Sequence, residues 1–297
     1  MQTVLITGAN GFVGWYLATC LLNDGRYHVL ATGKGPVRLP FGGTNFTYTT
    51  LDFTDSESVA AVFRQYKPTV VVHAGAISKP DDCELDKETA FRVNVSGTVH
   101  LLHAAAAYKS HFIFISTDFV FEGKSLAYKE NDALHPVNYY GQTKVEAEAA
   151  VKRYPFSWAV VRTVLVYGKP MSGRQNLLTN VVQALRKGET LKIFNDQMRT
   201  PTYVEDLATA LAKMIDKKST GIFHISGKDV LTPYQMAVAA AEHEGLDARK
   251  IIAVTADAFQ QPALRPPITG FDLTKAATEL EYVPTLFATG LAKTFLP

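Results

Sequence analysis

The chain opens on a strand-like run, TVLIT, that passes directly into TGANGFVG, with glycines at positions 8, 11 and 14, and then into an apolar helical pattern from about Phe12. That order leaves few folds open. A glycine turn between strand and helix allows a tight reversal, close approach of backbone to a pyrophosphate, and close helix packing on the sheet, while the helix N-terminus faces the phosphates. Three glycines alone occur in many loops for conformational reasons. Placed between a first strand and a first helix, they predict dinucleotide binding. Gly8, Asn10, Gly11, Phe12, Val13 and Gly14 are the turn residues expected at a cofactor.

Further strand-like runs follow as HVLAT, FTYTTL, TVVVHA, HFIFIST and WAVVRTVLVYG. Helical patterns separate them at about Ser56 to Tyr66, through AFRVNVSGTVHLLHAAAAY, and from NYYGQTK onward. The runs are nearly continuous in apolar residues, as expected for strands covered on both faces by crossover helices. The pattern predicts an α/β fold, a doubly wound parallel sheet with right-handed crossovers. Beyond Gly168 helical patterns at about Gln175 to Arg186, Val204 to Met214 and Pro233 to His243 are separated by the short strands LKIF, GIFHIS and KIIAV, and the proline-rich QQPALRPPITG precedes a final helix. Residues 1–167 are therefore expected to form the dinucleotide-binding domain, with part of 203–226 returning to it, and 168–297 mostly a smaller substrate-binding lobe.

Composition narrows the partners. A formal net charge of +2, from 30 basic and 28 acidic side chains, argues against nucleic acid or a membrane surface and leaves small molecules or protein. Cys20 lies in an apolar helical pattern and Cys83 in a polar loop, without metal-ligand spacing, which fits a reducing compartment. No basic segment leads into an apolar core at the start, and no apolar run is long enough for a bilayer, so a cytoplasmic location is expected.

Cofactor choice falls to the end of the second strand, where an NAD site places an acid for the ribose hydroxyls. Here the chain reads HVLATGKGPVR, and Lys34, with Arg38 in reserve, is suited to a 2′-phosphate. NADP(H) is expected, with NAD(H) as the alternative. After the fourth strand, Ala74, Gly75 and Ala76 are small enough for a cofactor to lie against the backbone.

The fifth strand ends in FISTDFVFEG, and a helix begins in NYYGQTK. Ligands of such sheets bind beyond the carboxyl ends of the strands, so Ser116 and Thr117 lie where Tyr140 and Lys144 can converge on one carbonyl. Positions i and i+4 share a helix face, which pairs Tyr140 with Lys144 and leaves Tyr139 for packing or a substrate wall. A free phenol titrates near ~10, and a nearby ammonium lowers that value. In isolation such a pair is as readily a packed helix edge, with the lysine stem covering the ring.

Taken together, TGANGFVG, VNVSGT, STDFVFEG, HPVNYYGQTK, RTVLVYG, NDQMRTPT and ALRPPITGFDLTK resemble the extended short-chain dehydrogenase/reductases, and within them the dTDP-4-dehydrorhamnose reductase family, over nearly the whole chain. The resemblance implies NADPH-dependent reduction of a 4-keto nucleotide sugar. In it Thr117 is the catalytic hydroxyl, Tyr140 the acid, and Lys144 its partner and a holder of the nicotinamide ribose. Asp52 and Phe53 hold adenine, and Ser116 stands beside the nicotinamide. Asn94 organises a proton relay or is a buried structural amide. On the substrate side it places Ser78, Asp118, Phe119, Leu165, Arg199 and Arg265; the two arginines meet a diphosphate, which a forked guanidinium matches, and Asp118 also orders its turn. Leu165 stands where the family has tryptophan, and offers no flat stacking face or indole donor. Members use magnesium at a dimer contact; no acidic motif here matches it, so no metal ligand is assigned and both magnesium and a homodimer stay open. Two alternatives share these motifs: an epimerase or dehydratase of the same superfamily, and a non-catalytic NADP-binding regulatory subunit like that of methionine adenosyltransferase.

Overall fold

The computed structural model describes residues 1–173, 175–258 and 261–296. The first half runs β1 (Gln2–Thr7), α1 (Phe12–Asp24), β2 (Tyr27–Gly33), β3 (Phe46–Thr50), α2 (Ser56–Tyr66), β4 (Val70–His73), α3 (Pro80–Leu85), α4 (Lys87–Phe91), α5 (Gly97–Ala107), β5 (His111–Thr117), β6 (Lys124–Tyr128), α6 (Tyr139–Lys152) and β7 (Trp158–Thr163). The second half runs β8 (Val166–Tyr167), α7 (Leu177–Arg186), β9 (Leu191–Phe194), β10 (Met198–Arg199), β11 (Thr202–Tyr203), α8 (Val204–Lys217), β12 (Gly221–Ile225), α9 (Pro233–His243), β13 (Ile251–Val254), β14 (Ile268–Phe271), α10 (Thr274–Leu280) and α11 (Phe287–Phe295).

Seven strands form one parallel sheet in the order β12-β7-β5-β4-β1-β2-β3. Val4, Leu5 and Ile6 of β1 and Val70, Val71 and Val72 of β4 are fully buried, because helices cover both faces. Leu17 and Leu21 of α1 pack with Leu207 and Leu211 of α8 in the core on one side. Val59 and Phe63 of α2, Leu101 of α5 and Val151 of α6 pack on the other. β12 pairs with β7 in the main sheet, so the segment carrying α8 and β12 belongs to it structurally. The later chain also forms small parallel pairings, β10-β14-β6, β11-β8 and β13-β9.

The chain leaves β1 toward β2 and β3 and returns to β4 on the other side, making the β1/β4 boundary the switch point where such sheets bind ligands. A buried relay fixes that boundary. The Gly75 amide donates to Thr7 Oγ1 at 3.3 Å, and Thr7 Oγ1 lies 2.6 Å from His73 Nδ1. His73 Nε2 lies 3.1 Å from Thr98 Oγ1, which in turn donates to the Asn94 carbonyl. Because Thr98 spends its proton there, His73 carries its own on Nε2 and accepts from Thr7. Burial, then the charge of Lys144, lowers its pKa to about 3, so the ring is neutral.

Three local expectations are corrected. The helix read through AFRVNVSGTVHLL divides into α4, a π-helical turn at Arg92–Ser96, and α5; such turns concentrate at functional sites. WAVVRTVLVYG is not one strand but β7 and β8, separated at Leu165, whose φ is 26°. The amide of Thr202 takes the carbonyls of Val164 and Leu165, at 3.1 and 3.2 Å, which draws the chain out of the ladder. Cys83 is not in a polar loop: α3 turns it inward, fully buried beside Ala90 and Tyr140, while acidic neighbours remain outside. None of the helices among the described residues is long and apolar enough to cross a membrane.

Candidate active site

A cleft of about 470 Å³ lies beyond the carboxyl ends of β1, β4 and β5. Its lining includes Gly8, Gly11, Phe12, Val13 and Gly14 from the first turn, and Ala74, Ala76 and Ser78 after β4. Ser116, Thr117, Asp118, Phe119, Tyr140 and Lys144 line its centre, and Leu165, Arg199 and Arg265 come from the later chain. Asn10, Lys34, Asp52, Phe53, Gly75 and Asn94 are not part of the lining.

The glycine turn is shaped by contacts that exclude side chains. Gly8 has φ 67°, and a Cβ on it would meet the Gly75 backbone at 2.8 Å. A Cβ on Gly14 would lie 2.5 Å from the Gly8 carbonyl oxygen, so α1 packs directly on the turn. Gly11 caps α1 without a side-chain hydrogen bond. The first amides of α1 have no intrahelical partner and border the cleft, an arrangement suited to a pyrophosphate.

Beyond β2, Lys34 Nζ lies 2.7 Å from Asp52 Oδ2, with side chains 60% and 41% exposed. A pair so exposed contributes little, and the lysine can exchange it for a phosphate. Asn10 donates to the Pro36 carbonyl and to Tyr48 Oη and accepts from the Arg38 amide, each at 2.9 Å, so it braces the loop that carries Lys34 and Arg38.

At the centre, Asn138 caps α6 by accepting from the Gly141 amide at 2.8 Å, which starts the helix one residue before Tyr140. Tyr140 lies edge-on to Phe119 with ring centroids 5.9 Å apart. Lys144 Nζ donates to the Ile115 carbonyl at 2.7 Å and stands 4.0 Å from the centroid of Phe114. Its burial lowers the pKa to about 7, opposed by Glu148 and Cys83. Tyr139 turns away, its amide donating to Glu84 and its ring beneath Lys87.

Ser116 Oγ donates to Glu148 Oε1 at 2.6 Å, and Thr117 Oγ1 donates to Asp118 Oδ1 at 3.1 Å. Thr117 Oγ1 also accepts the Phe119 amide. Asp118 is fully enclosed and accepts from Thr269 Oγ1, tying β14 to the end of β5. Burial raises its pKa, opposed by nearby Arg199 and the two threonines.

Four of the residues named from the sequence make other or narrower contacts, those of Asn94 matching the structural-amide alternative. Phe53 lies in the core, edge-on to His73 at 5.0 Å, filling the space that a Cβ on Gly75 or Gly97 would occupy, so its ring does not face the cleft. Gly75 is small for that contact and for Gly8. Asn94 is 1% exposed; its amide donates to the Ile77 carbonyl and Thr143 and accepts the Ile77 amide, so it braces the chain after β4 from behind. Arg199 reaches the cleft, but its two Nη atoms donate to the carbonyls of Met198, Pro266 and Pro267 and to Gln197, making it a strut under the segment that bears Arg265. Arg265 itself forms a bidentate pair with Asp81 at 2.6 and 2.7 Å.

Sequence reading overlooked Gln175, Asn176, Leu177, Gln197 and Pro233, which also line the cleft. Asn176 ahead of the apolar LLTNVV was a legible helix start, and it caps α7 in a capping box with Thr179. Among the described residues, no group of three or more His, Cys, Asp or Glu is arranged to hold a metal.

Comparison with known proteins agrees with this architecture. The family model described as RmlD substrate binding domain matches residues 1–296. The dTDP-4-dehydrorhamnose reductase of Aggregatibacter actinomycetemcomitans is 31% identical over 93% of this chain and 92% of its own length. Methionine adenosyltransferase 2 subunit beta of Danio rerio is 32% identical over 89% of this chain and 81% of its own. The crystal structure of dTDP-4-dehydrorhamnose reductase from Bacillus anthracis, in complex with NADP, superposes with a TM-score of 0.86 at 25% identity, covering 99% of both chains. With its whole-length match, its parallel sheet and its cleft at the strand ends, the chain belongs to the dTDP-4-dehydrorhamnose reductase family of extended short-chain dehydrogenase/reductases.

Proposed function

We propose that the chain is an NADPH-dependent reductase of a 4-keto nucleotide sugar, most simply dTDP-4-dehydro-6-deoxy-L-mannose. The observation that carries this reading is the meeting of Thr117, Tyr140 and Lys144 in one cleft whose lining also includes the glycine turn. The cofactor fits that turn, where side chains are excluded and the helix amides border the cleft, and the Bacillus anthracis relative was solved with NADP. When bound, the nicotinamide supplies the hydride.

The chain's own residues handle the oxygen of the substrate carbonyl. Tyr140 donates the proton that converts it to a hydroxyl, and a charged Lys144 lowers the pKa of that phenol. Thr117, whose proton rests on Asp118, turns it to the same oxygen. Ser116 directs its hydroxyl hydrogen to Glu148 and presents lone pairs to the cleft, suited to accept from an amide or hydroxyl. Arg265, pre-formed as a fork on Asp81, exchanges that carboxylate for a diphosphate.

The test is loss of reduced-nicotinamide absorbance with a panel of 4-keto nucleotide sugars, using NADPH and NADH in parallel. Tight NADPH binding without its oxidation by any member of the panel defeats the reading. It would favour the second one, a binding subunit, which the resemblance to methionine adenosyltransferase 2 subunit beta supports. Recovery of a stoichiometric enzyme partner with an inactive purified chain is its signature.

A further inference from the structure

Tyr140, Lys144 and Glu148 follow one another at four-residue spacing on α6, and the third is withdrawn from the cleft. Glu148 is completely buried, opposite an Arg162 side chain that is 1% exposed. Its Oε1 accepts from Ser116 Oγ at 2.6 Å and from Arg162 Nε at 2.9 Å, and its Oε2 from Arg162 Nη2 at 2.7 Å. Lys152 Nζ stands 3.7 Å away. Arg162 Nη1 donates to the Glu130 carbonyl and to His224 Nε2, whose other nitrogen, Nδ1, lies 2.9 Å from the Tyr128 carbonyl. A carbonyl only accepts, so His224 carries its proton on Nδ1 and is neutral; burial, then Arg162, lowers its pKa to about 3. Every proton in the network thus has a fixed direction, and the Ser116 proton points away from the cleft.

A buried ion pair stabilises a fold no better than apolar side chains of similar size, and Ala147 and Val151 on the same helix bury apolar groups. We infer that Glu148, locked by Arg162, is a positioning residue for this site: it fixes Ser116 as an acceptor toward the cleft and holds a negative charge one helical turn from Lys144. The inference rests on the reductase reading for its purpose, because there Lys144 has to be an ammonium beside Tyr140. The groups around Lys144 agree. Cys83 from α3 is pushed by burial to about 11 and His73 from β4 is lowered by burial to about 3, so both are neutral near pH 7; Tyr140 and Glu148 share its helix. Glu148 is the largest of the influences that oppose the burial of the ammonium, ahead of Cys83.

The test removes the carboxylate in two ways: Glu148→Gln, and Glu148→Leu combined with Arg162→Met, which replaces the pair by apolar groups and leaves no unpaired arginine. Lys144 is titrated without substrate by NMR of protein labelled with carbon-13 at the lysine ε position, its signal identified by its loss in Lys144→Met. Both variants should surrender the Lys144 proton at about tenfold higher proton concentration than the parent, or more, while Glu148→Asp stays near the parent. A folded variant without the carboxylate whose Lys144 titrates as in the parent overturns the inference, whatever happens to its stability. The pH profile of NADPH oxidation is the second readout, and its alkaline limb should move with the Lys144 titration. A parent chain that oxidises no NADPH fails the reductase reading alone, and the NMR titration still decides the role of Glu148.

Discussion

Replacing Lys144 with methionine tests the electrostatics at the centre of the cleft. Burial lowers the pKa of this lysine from 10.5 to about 7. At about 1.36 kcal/mol per pH unit, holding the charged form costs about 5 kcal/mol of folding free energy near pH 6, relative to a side chain that never ionises. Methionine keeps most of the stem and carries no charge, but it deprives the Ile115 carbonyl of its 2.7 Å hydrogen bond, a loss of roughly 1–3 kcal/mol. Lys144→Met should therefore be more stable than the parent by roughly 2–4 kcal/mol near pH 6. The difference has a required direction with pH. Between about 7 and 10.5 the unfolded lysine binds a proton that the folded one has released, so the parent gains stability as pH rises through that window and the variant does not. The advantage of the variant is fully present below the folded pKa and shrinks as pH climbs toward the unfolded one. Urea unfolding of both chains at several pH values from about 6 to 9, without cofactor, measures it. A variant less stable than the parent at the acid end, or a difference independent of pH, refutes the reasoning.

Three further outcomes are expected. Tyr140→Phe keeps the ring against Phe119 and should retain NADPH affinity while NADPH oxidation falls by about 10²–10⁴-fold; unchanged turnover removes the phenol from its role. Gly14→Ala places a Cβ 2.5 Å from the Gly8 carbonyl oxygen and should lower stability by about 1–3 kcal/mol together with cofactor affinity, read from the urea midpoint and from nicotinamide fluorescence. Lys34→Asp sets a second acid beside Asp52 and should shift kcat/KM at least about tenfold from NADPH toward NADH; an unchanged ratio rules out a 2′-phosphate contact by Lys34.

The parts of the site that could be read in advance are those governed by local order. The glycine turn, the strand end at Ser116 and Thr117, and the Tyr140/Lys144 spacing each lie within a few residues of a strand or helix terminus, where backbone geometry fixes direction. Phe53, Asn94 and Arg199 were harder to place for one shared reason: each follows a motif to the right neighbourhood, but its side chain is claimed by a distant segment. Phe53 is taken by the gap at Gly75 and Gly97, Asn94 by the Ile77 backbone, and Arg199 by the carbonyls of Pro266 and Pro267. None of these competitors is visible at sequence distance.

The sequence by itself determined the alternation of buried strands and helices, the parallel sheet, the glycine-rich first turn, and the face shared by Tyr140 and Lys144, because hydrophobic period and turn chemistry are local properties. Only the tertiary structure decided which of the named residues border the cleft and in what charge state. Lys144 is an ordinary helix lysine until β5 encloses it, Ser116 an ordinary hydroxyl until Glu148 accepts its hydrogen bond, and Arg265 a surface arginine until Asp81 forms its partner. Burial and hydrogen-bond competition depend on segments brought together from across the chain, and the chemistry of the cleft follows from them.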